Sequence, residues 1–345
     1  MEFSKLGRTN LQVSKICLGT MTFGEQNSEY EAHTQLDRAV DLGINFIDTA
    51  ELYPVPPNKI SQGRTEEYIG NWLRKTGRRN DLVIATKVIG YSEHLTYFRN
   101  ETSRLSRNHI EEAIDNSLRR LQIDTIDLYQ IHWPDRPTNF FGLRGFNTPD
   151  NRKSIPIKET LGVCADLIKS GKIRYIGVSN ETPWGVSKWL EAAKDLSSRI
   201  VSIQNPYNLL NRSFEIGLSE FSIREDVGLL AYSPLAFGVL SGKYLHGRLP
   251  EGSRLSRFKQ YDRYNSIEAQ QATEAYVALA QEAGLDPCQM ALSYINSRPF
   301  VTSNIIGATN LNQLESNIAS TNIKLTEQIL RKIENIHKKI PNPSP

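Results

Sequence analysis

The 345-residue chain predicts an α/β fold: a (β/α)8 TIM barrel with an N-terminal β-hairpin and long loops at the C-terminal face of its strands. Three observations predict it. From residue 16 onward, short apolar runs alternate with stretches of helical period, the pattern of successive β-then-α units and hence of a parallel sheet. The runs number eight, the count that closes a barrel. The three longest insertions each follow a predicted strand, the end where barrel enzymes gather their working loops.

Taken in order, residues 3–6 and 12–14 flank Gly7-Arg8-Thr9-Asn10 and read as a hairpin able to plug the barrel floor. The predicted barrel strands are 16–18, 45–48, 83–87, 126–132, 175–179, 201–205, 228–232 and 304–306. Helices are predicted at 29–42, 65–75, 107–121, 157–170, 183–194, 214–225, 268–283 followed by 287–297, and 311–320. In 107–121 the residues Ile110, Ala113, Ile114, Ser117, Leu118 and Leu121 share one face. The insertions are 89–106, 133–156 and 233–266, and the tail 326–345 adds one helix and a Pro-rich end. No linker or repeat divides the chain, so 1–345 is expected to form a single domain, with 1–15 as its hairpin.

Composition narrows the class of partner. With 41 Lys and Arg against 38 Asp and Glu, the net charge of +3 is too small to indicate nucleic acid or a membrane surface. Cys17, Cys164 and Cys288 are far apart and form no C-x-x-C pair, and no H-x-x-x-H occurs, so no metal site is expected. The N-terminus has no signal-peptide pattern, and the apolar window 227–240 is broken by Ser233 and Pro234, short of the ~20 residues a membrane helix needs. A cytoplasmic protein is expected. Nothing in the sequence fixes its oligomeric state.

Polar side chains stand at the predicted strand ends: Asp48, Lys87, His132, Ser179 with Asn180, Gln204 with Asn205, and Tyr232. A barrel brings these to one rim. Each alone is readily a strand cap. Lys87, directly after Leu82-Val83-Ile84-Ala85, is desolvated at a cost of several kcal/mol unless an opposite charge is near, and Asp48 one strand over can supply it. Such a pair serves as a structural peg, or as part of a site. A lysine at a barrel mouth is also what a Schiff-base aldolase uses, which would trap a carbonyl on Lys87 without any nicotinamide.

The segments Gly43-Ile44-Asn45-Phe46-Ile47-Asp48-Thr49-Ala50-Glu51-Leu52-Tyr53, Ala85-Thr86-Lys87, Ile131-His132-Trp133, Gly177-Val178-Ser179-Asn180 and Gln204-Asn205-Pro206-Tyr207 resemble the aldo-keto reductases, and the likeness covers nearly the whole chain. Gly19-Thr20-Met21-Thr22-Phe23-Gly24 and Tyr53-Pro54-Val55-Pro56-Pro57 are similar to the bacterial Tas-like subgroup. The resemblance implies a catalytic tetrad of Asp48, Tyr53, Lys87 and His132. Its chemistry is intelligible: hydride addition to a carbonyl leaves an alkoxide, so a proton donor and a cation must lie near the oxygen. Tyr53 donates, Lys87 is expected to lower the phenol below its usual pKa of ~10, and Asp48 keeps Lys87 charged and aimed. His132 orients the carbonyl through a neutral N–H or assists proton delivery. Relatives among potassium-channel β subunits usually carry Asn there, so the histidine favours a working reductase. The expected activity is NADPH-dependent reduction of aldehydes or ketones to alcohols; the alternative is a nicotinamide-binding regulatory or channel-partner protein with little turnover.

Hydride carriers are usually flavins or nicotinamides, and no G-x-G-x-x-G follows a strand, so a dinucleotide would bind by another route. Ser179, Asn180 and Gln204 offer groups suited to a carboxamide, and Tyr232 a face for the ring. Gly19, Thr20 and Met21 adjoin them by resemblance. After the seventh strand, Ser233, Pro234, Leu235, Ala236, Phe237 and Gly238 lead through Val239-Leu240-Ser241-Gly242 to Lys243, a small-residue loop and a cation that can hold a pyrophosphate. Gly307 and Thr309 precede a helix whose N-terminus favours an anion, and the resemblance puts Gln313 and Asn317 beside the adenine. Asn310 stands where NADPH-preferring members often have Lys or Arg, which leaves NADH possible. Arg254 and Arg257 could meet the 2′-phosphate, or be solvated loop residues. Met21 and Trp133 would bound a pocket for a small carbonyl substrate with an apolar portion, with Phe140 and Phe141 as a lid or as loop anchors.

Overall fold

Runs rich in Ile, Val and Leu form strands buried on both faces when helices cover the outside and the strands enclose an interior. That is the arrangement in a computed structural model of the chain, which describes residues 1–143, 145–146, 153–196, 198–258 and 260–345. The hairpin strands are β1 (Phe3–Lys5) and β2 (Gln12–Ser14). The barrel strands are β3 (Ile16–Gly19), β4 (Phe46–Asp48), β5 (Val83–Val88), β6 (Ile126–Ile131), β7 (Ile173–Ser179), β8 (Ile200–Pro206), β9 (Gly228–Tyr232) and β10 (Val301–Ile306). They run parallel in chain order, and β10 closes onto β3. The helices are α1 (Glu29–Asp41), α2 (Arg64–Thr76), α3 (Arg107–Leu121), α4 (Ile157–Lys169), α5 (Pro183–Leu196), α6 (Leu218–Arg224), α7 (Arg254–Arg257), α8 (Ile267–Glu282), α9 (Pro287–Asn296), α10 (Leu311–Ala319) and α11 (Glu327–Lys339). Among the described residues no helix is long and apolar enough to cross a membrane.

Because side chains alternate along a strand, each contributes to two packing layers. Ile84, Val88, Tyr129 and Ile131 pack outward against the helices, whereas Val83, Ala85 and Leu128 pack inside with Phe46, Val201, Leu230 and Ile305. The floor of that interior is closed by Leu6, Leu11 and Val13, as the hairpin pattern predicts. Gly7 permits the approach: its φ is +52°, and a Cβ there would lie 2.4 Å from the carbonyl oxygen of Val201. Above the apolar interior, the inward positions turn polar. Lys87 pairs in register with Gln130, and Gln130 with Gly177, so these side chains occupy adjoining staves at the upper end.

Two expectations need correction. The helix predicted at 214–225 is split, with a 3-10 turn at Ser213–Ile216 ahead of α6. Gly217 lies between them at φ −155°, and its missing Cβ lets Pro183 at the start of α5 approach. The insertion 233–266 is not plain loop: it contains 3-10 turns at Ala236–Ser241 and Leu245–Gly247 as well as α7. Part of the insertion 133–156 lies outside the described residues. Its start is held by Asp135, which accepts from Arg104 at 2.9 and 2.8 Å, and by Arg136, which donates to Glu181 at 2.9 and 2.6 Å.

Candidate active site

At the upper end of the barrel, β4 ends on Asp48 and β5 carries Lys87 inward, with both side chains almost wholly buried. Register places Asp48 opposite Ala85, two residues before Lys87, and the long lysine stem spans the offset. Lys87 Nζ lies 2.6 Å from Asp48 Oδ2, 2.8 Å from the Thr49 carbonyl and 3.4 Å from the Tyr53 hydroxyl. All three ammonium hydrogens thereby have acceptors. Tyr53 reaches this position from the loop after β4, where its N–H donates to Ala50 and its carbonyl accepts from Gly63. His132, just past β6, meets the Tyr53 ring edge-on at 5.8 Å between centroids. The four residues of the predicted tetrad are thus together.

The electrostatics follow from burial and this one ion pair. Burial pulls the Lys87 ammonium down, but Asp48 and then Tyr53 more than offset it, so it is held above its ordinary value. For Tyr53 the expectation was a phenol lowered by Lys87. The structure gives the opposite direction: burial raises it, Lys87 opposes, and Asp48 cancels much of the lysine's charge. His132 is pushed well below its ordinary value, first by burial and then by the Lys87 cation, so its ring is neutral at neutral pH. Its buried Nδ1 has no hydrogen-bond partner among the described residues.

A second group of residues adjoins this one. Gln204 Nε2 donates to Asp48 Oδ1 at 2.9 Å, and Gln130 Nε2 donates to the same oxygen at 3.0 Å. Asn180 Nδ2 donates to the His132 carbonyl at 2.8 Å, and its Oδ1 accepts from the Tyr232 hydroxyl at 2.7 Å. Ser179 Oγ donates to the Gln204 carbonyl. Thr20 Oγ1 donates to the Asp48 carbonyl, which ties the Gly19-Thr20-Met21 segment to the same rim. Gln130 was not among the residues singled out by sequence. It sits inside an apolar strand run, and the signal that could have found it is its spacing of two from His132, which points both side chains inward.

The remaining predicted residues divide. Lys243 lies close to Gly238, whose Cβ would be 3.1 Å from Nζ, in a loop where Ser233, Ala236, Phe237, Gly238 and Gly242 all have positive φ. Pro234 is buried and Leu235 half-buried in that loop. Beyond β10, Gln313 Oε1 accepts from the N–H and hydroxyl of Thr309, and Asn317 Nδ2 donates to the Gly307 carbonyl. Asn310 caps α10 by accepting from the Gln313 N–H. The Arg254 guanidinium packs over the rings of Phe237 and Tyr261 at 4.4 and 5.0 Å and approaches Met21 Sδ at 3.9 Å. Arg257 is exposed. Trp133 packs on His132 at 5.0 Å and donates its N–H to the Tyr91 carbonyl. Phe141 meets Trp133 edge-on at 5.9 Å, and Phe140 meets Phe141 at 4.9 Å, so the loop aromatics reach the wall of the site. Arg263, another residue the sequence reading passed over, lies 5.8 Å over Phe141 and 5.9 Å over Phe237, joining the two loops.

The chain is 51% identical to Protein tas of Escherichia coli (strain K12), over 100% of both chains. It is 31% identical to L-glyceraldehyde 3-phosphate reductase of the same strain, covering 93% of this chain and 88% of that one. A probable voltage-gated potassium channel subunit beta of Oryza sativa subsp. japonica is 32% identical, over 99% and 98%. Residues 15–338 match the aldo/keto reductase family, and with this geometry at the barrel mouth the chain belongs to that family.

Proposed function

We propose that the protein reduces aldehydes or ketones to alcohols with NADPH as hydride source. Family membership supports an oxidoreductase that uses NAD(P)H on small-molecule carbonyl compounds; NADPH in particular, the residue roles and a cytoplasmic location are our reading. The observation that carries it is the contact of one buried ammonium with both Asp48 and the Tyr53 hydroxyl, beside a neutral His132.

The residues present fit a dinucleotide. Tyr232 offers its ring and Ser179, Asn180 and Gln204 their polar groups to the nicotinamide end. The loop from Ser233 to Gly242, which carries five residues at positive φ, and the adjacent Lys243 would take the pyrophosphate. Arg254 has a buried Nε with no partner among the described residues and, with Arg257 on the same turn, supplies cations for the phosphates, the 2′-phosphate included. Gly307, Thr309, Gln313 and Asn317 receive the adenosine end. When bound, the nicotinamide supplies hydride to the carbonyl carbon.

The chain's own residues manage the proton. Tyr53, kept protonated by burial, donates its hydroxyl hydrogen to the developing alkoxide, a far stronger base than a phenolate. Lys87 stabilises the phenolate left behind, and Asp48 holds Lys87 in place. Neutral His132 offers an N–H to the carbonyl oxygen and so fixes its approach. Met21, Trp133 and the Phe140–Phe141 pair wall off water. Tyr53→Phe keeps NADPH affinity within about threefold and lowers kcat by at least ~100-fold, the range general acid catalysis supplies; unchanged turnover on a panel of aldehydes would overturn the assignment. The likeness to a channel β subunit favours a second reading, a nicotinamide-binding partner with little activity. That protein would bind NADPH and consume none with any aldehyde in the panel.

A further inference from the structure

We propose that Gln130 is a positioning residue that decides which end of the Gln204 amide meets the nicotinamide carboxamide. The inference rests on the cofactor reading above. Asp48 Oδ1 lies within 3.0 Å of the amide nitrogens of both glutamines, and a carboxylate paired to Lys87 can only accept, so both amides must turn N–H groups toward it. Gln204 Nε2 also donates to Gln130 Oε1 at 3.0 Å. Both of its hydrogens are therefore committed, one to Asp48 and one to Gln130. Its Oε1 makes no hydrogen bond among the described residues and is the group left to face the site.

The barrel makes room for this arrangement. Gln130 is fully buried, and its register partner on β7 is Gly177, where a Cβ would press to 3.1 Å from Gln130 Cγ. An apolar side chain at 130 would fill the same space, but a buried amide is tolerated when its polar atoms find partners, and here Nε2 donates to Asp48 and Oε1 accepts from Gln204. The consequence is chemical. An acceptor at Gln204 Oε1 recognises the carboxamide by its NH2 group. Without Gln130 the second N–H of Gln204 loses its acceptor and can turn to the carboxamide oxygen instead.

The test compares NADP+ with its 3-acetylpyridine analogue, which keeps the carbonyl oxygen and replaces NH2 with methyl. Each is titrated by intrinsic fluorescence without any carbonyl substrate, against wild type, Gln130→Met, Gln204→Met and the double variant, with thermal melts as a check on folding. Wild type should prefer NADP+ by about tenfold, the worth of one buried hydrogen bond. Gln130→Met and Gln204→Met should each reduce the preference below about threefold, and the double variant should reduce it no further. Gln130→Asn, which keeps an amide one methylene short, is read in the same way should the methionine variant fail to fold. Retention of the wild-type preference in the Gln130 variants overturns the inference. Wild-type binding without preference overturns it too but leaves the reductase reading standing, whereas binding of neither dinucleotide removes both.

Discussion

Tyr53 and His132 show how burial sets the chemistry residue by residue. Burial keeps the phenol protonated and the imidazole neutral, while Lys87 stays charged because Asp48 more than offsets its desolvation. A neutral buried histidine has a measurable cost in acid. The unfolded chain takes up this proton near pH 6.5, whereas the folded chain resists it to well below that. Below pH ~6.5 the unfolded state therefore binds more protons, and stability falls as pH falls, by at most ~1.4 kcal/mol per pH unit from this group. His132→Gln removes that component. Its urea midpoint relative to wild type should rise steadily between about pH 6.5 and 5, and a difference independent of pH would contradict the assignment. The sequence placed Asp48, Lys87 and His132 at strand ends and the family resemblance added Tyr53, but the direction of the Tyr53 shift was not legible. It is set first by how deeply the phenol is buried and then by the balance of Lys87 against Asp48, which meet at 2.6 Å across 39 residues of chain.

At the scale of elements, the hairpin and the insertions do different work. The hairpin closes the floor with Leu6, Leu11 and Val13, at the end of the barrel opposite Lys87. Leu6→Ala should destabilise the protein by ~2–5 kcal/mol in urea unfolding while leaving KM and kcat unchanged at a temperature where the variant is folded. The insertion 89–106 is tied to the segment after β4 by Arg99, which donates to Glu51 Oε1 and Oε2 at 2.9 and 2.8 Å, with both side chains buried. Burial alone raises the Glu51 carboxyl, and Arg99 opposes it. Arg99→Met leaves that carboxylate without its cation and should cost ~3–5 kcal/mol, read as a lowered thermal midpoint; a change under about 1 kcal/mol would show that water or another group takes over. Strand and helix bounds were mostly legible because periodicity is local, and α3 (Arg107–Leu121) matches its prediction at both ends. The break at Gly217 was not, since the space its missing Cβ leaves is filled by Pro183 from another helix.

For the molecule as a whole, the loops after β6 and β9 meet over the mouth through Phe141, Arg263 and Phe237, so ligand and fold are expected to be linked. A dinucleotide that binds only the folded state stabilises it by mass action. NADPH at a hundred times its Kd should add ~2.7 kcal/mol, seen as a higher urea midpoint, and Lys243→Ala should reduce the gain at the same concentration. NADH at that concentration should add less if Arg254 and Arg257 meet the 2′-phosphate, and equal gains would remove that role.

The sequence by itself determined the eight-fold alternation and the end of the barrel at which the site is built, because strand period and residue type are properties of short segments, and its family motifs named the four side chains that meet there. Tertiary structure alone decided the rest: that two glutamine amides converge on the far oxygen of Asp48, that Arg254 packs beside Met21 and Phe237, and that the phenol is raised. Each depends on distances between staves remote in the chain, and those are fixed by register and barrel closure.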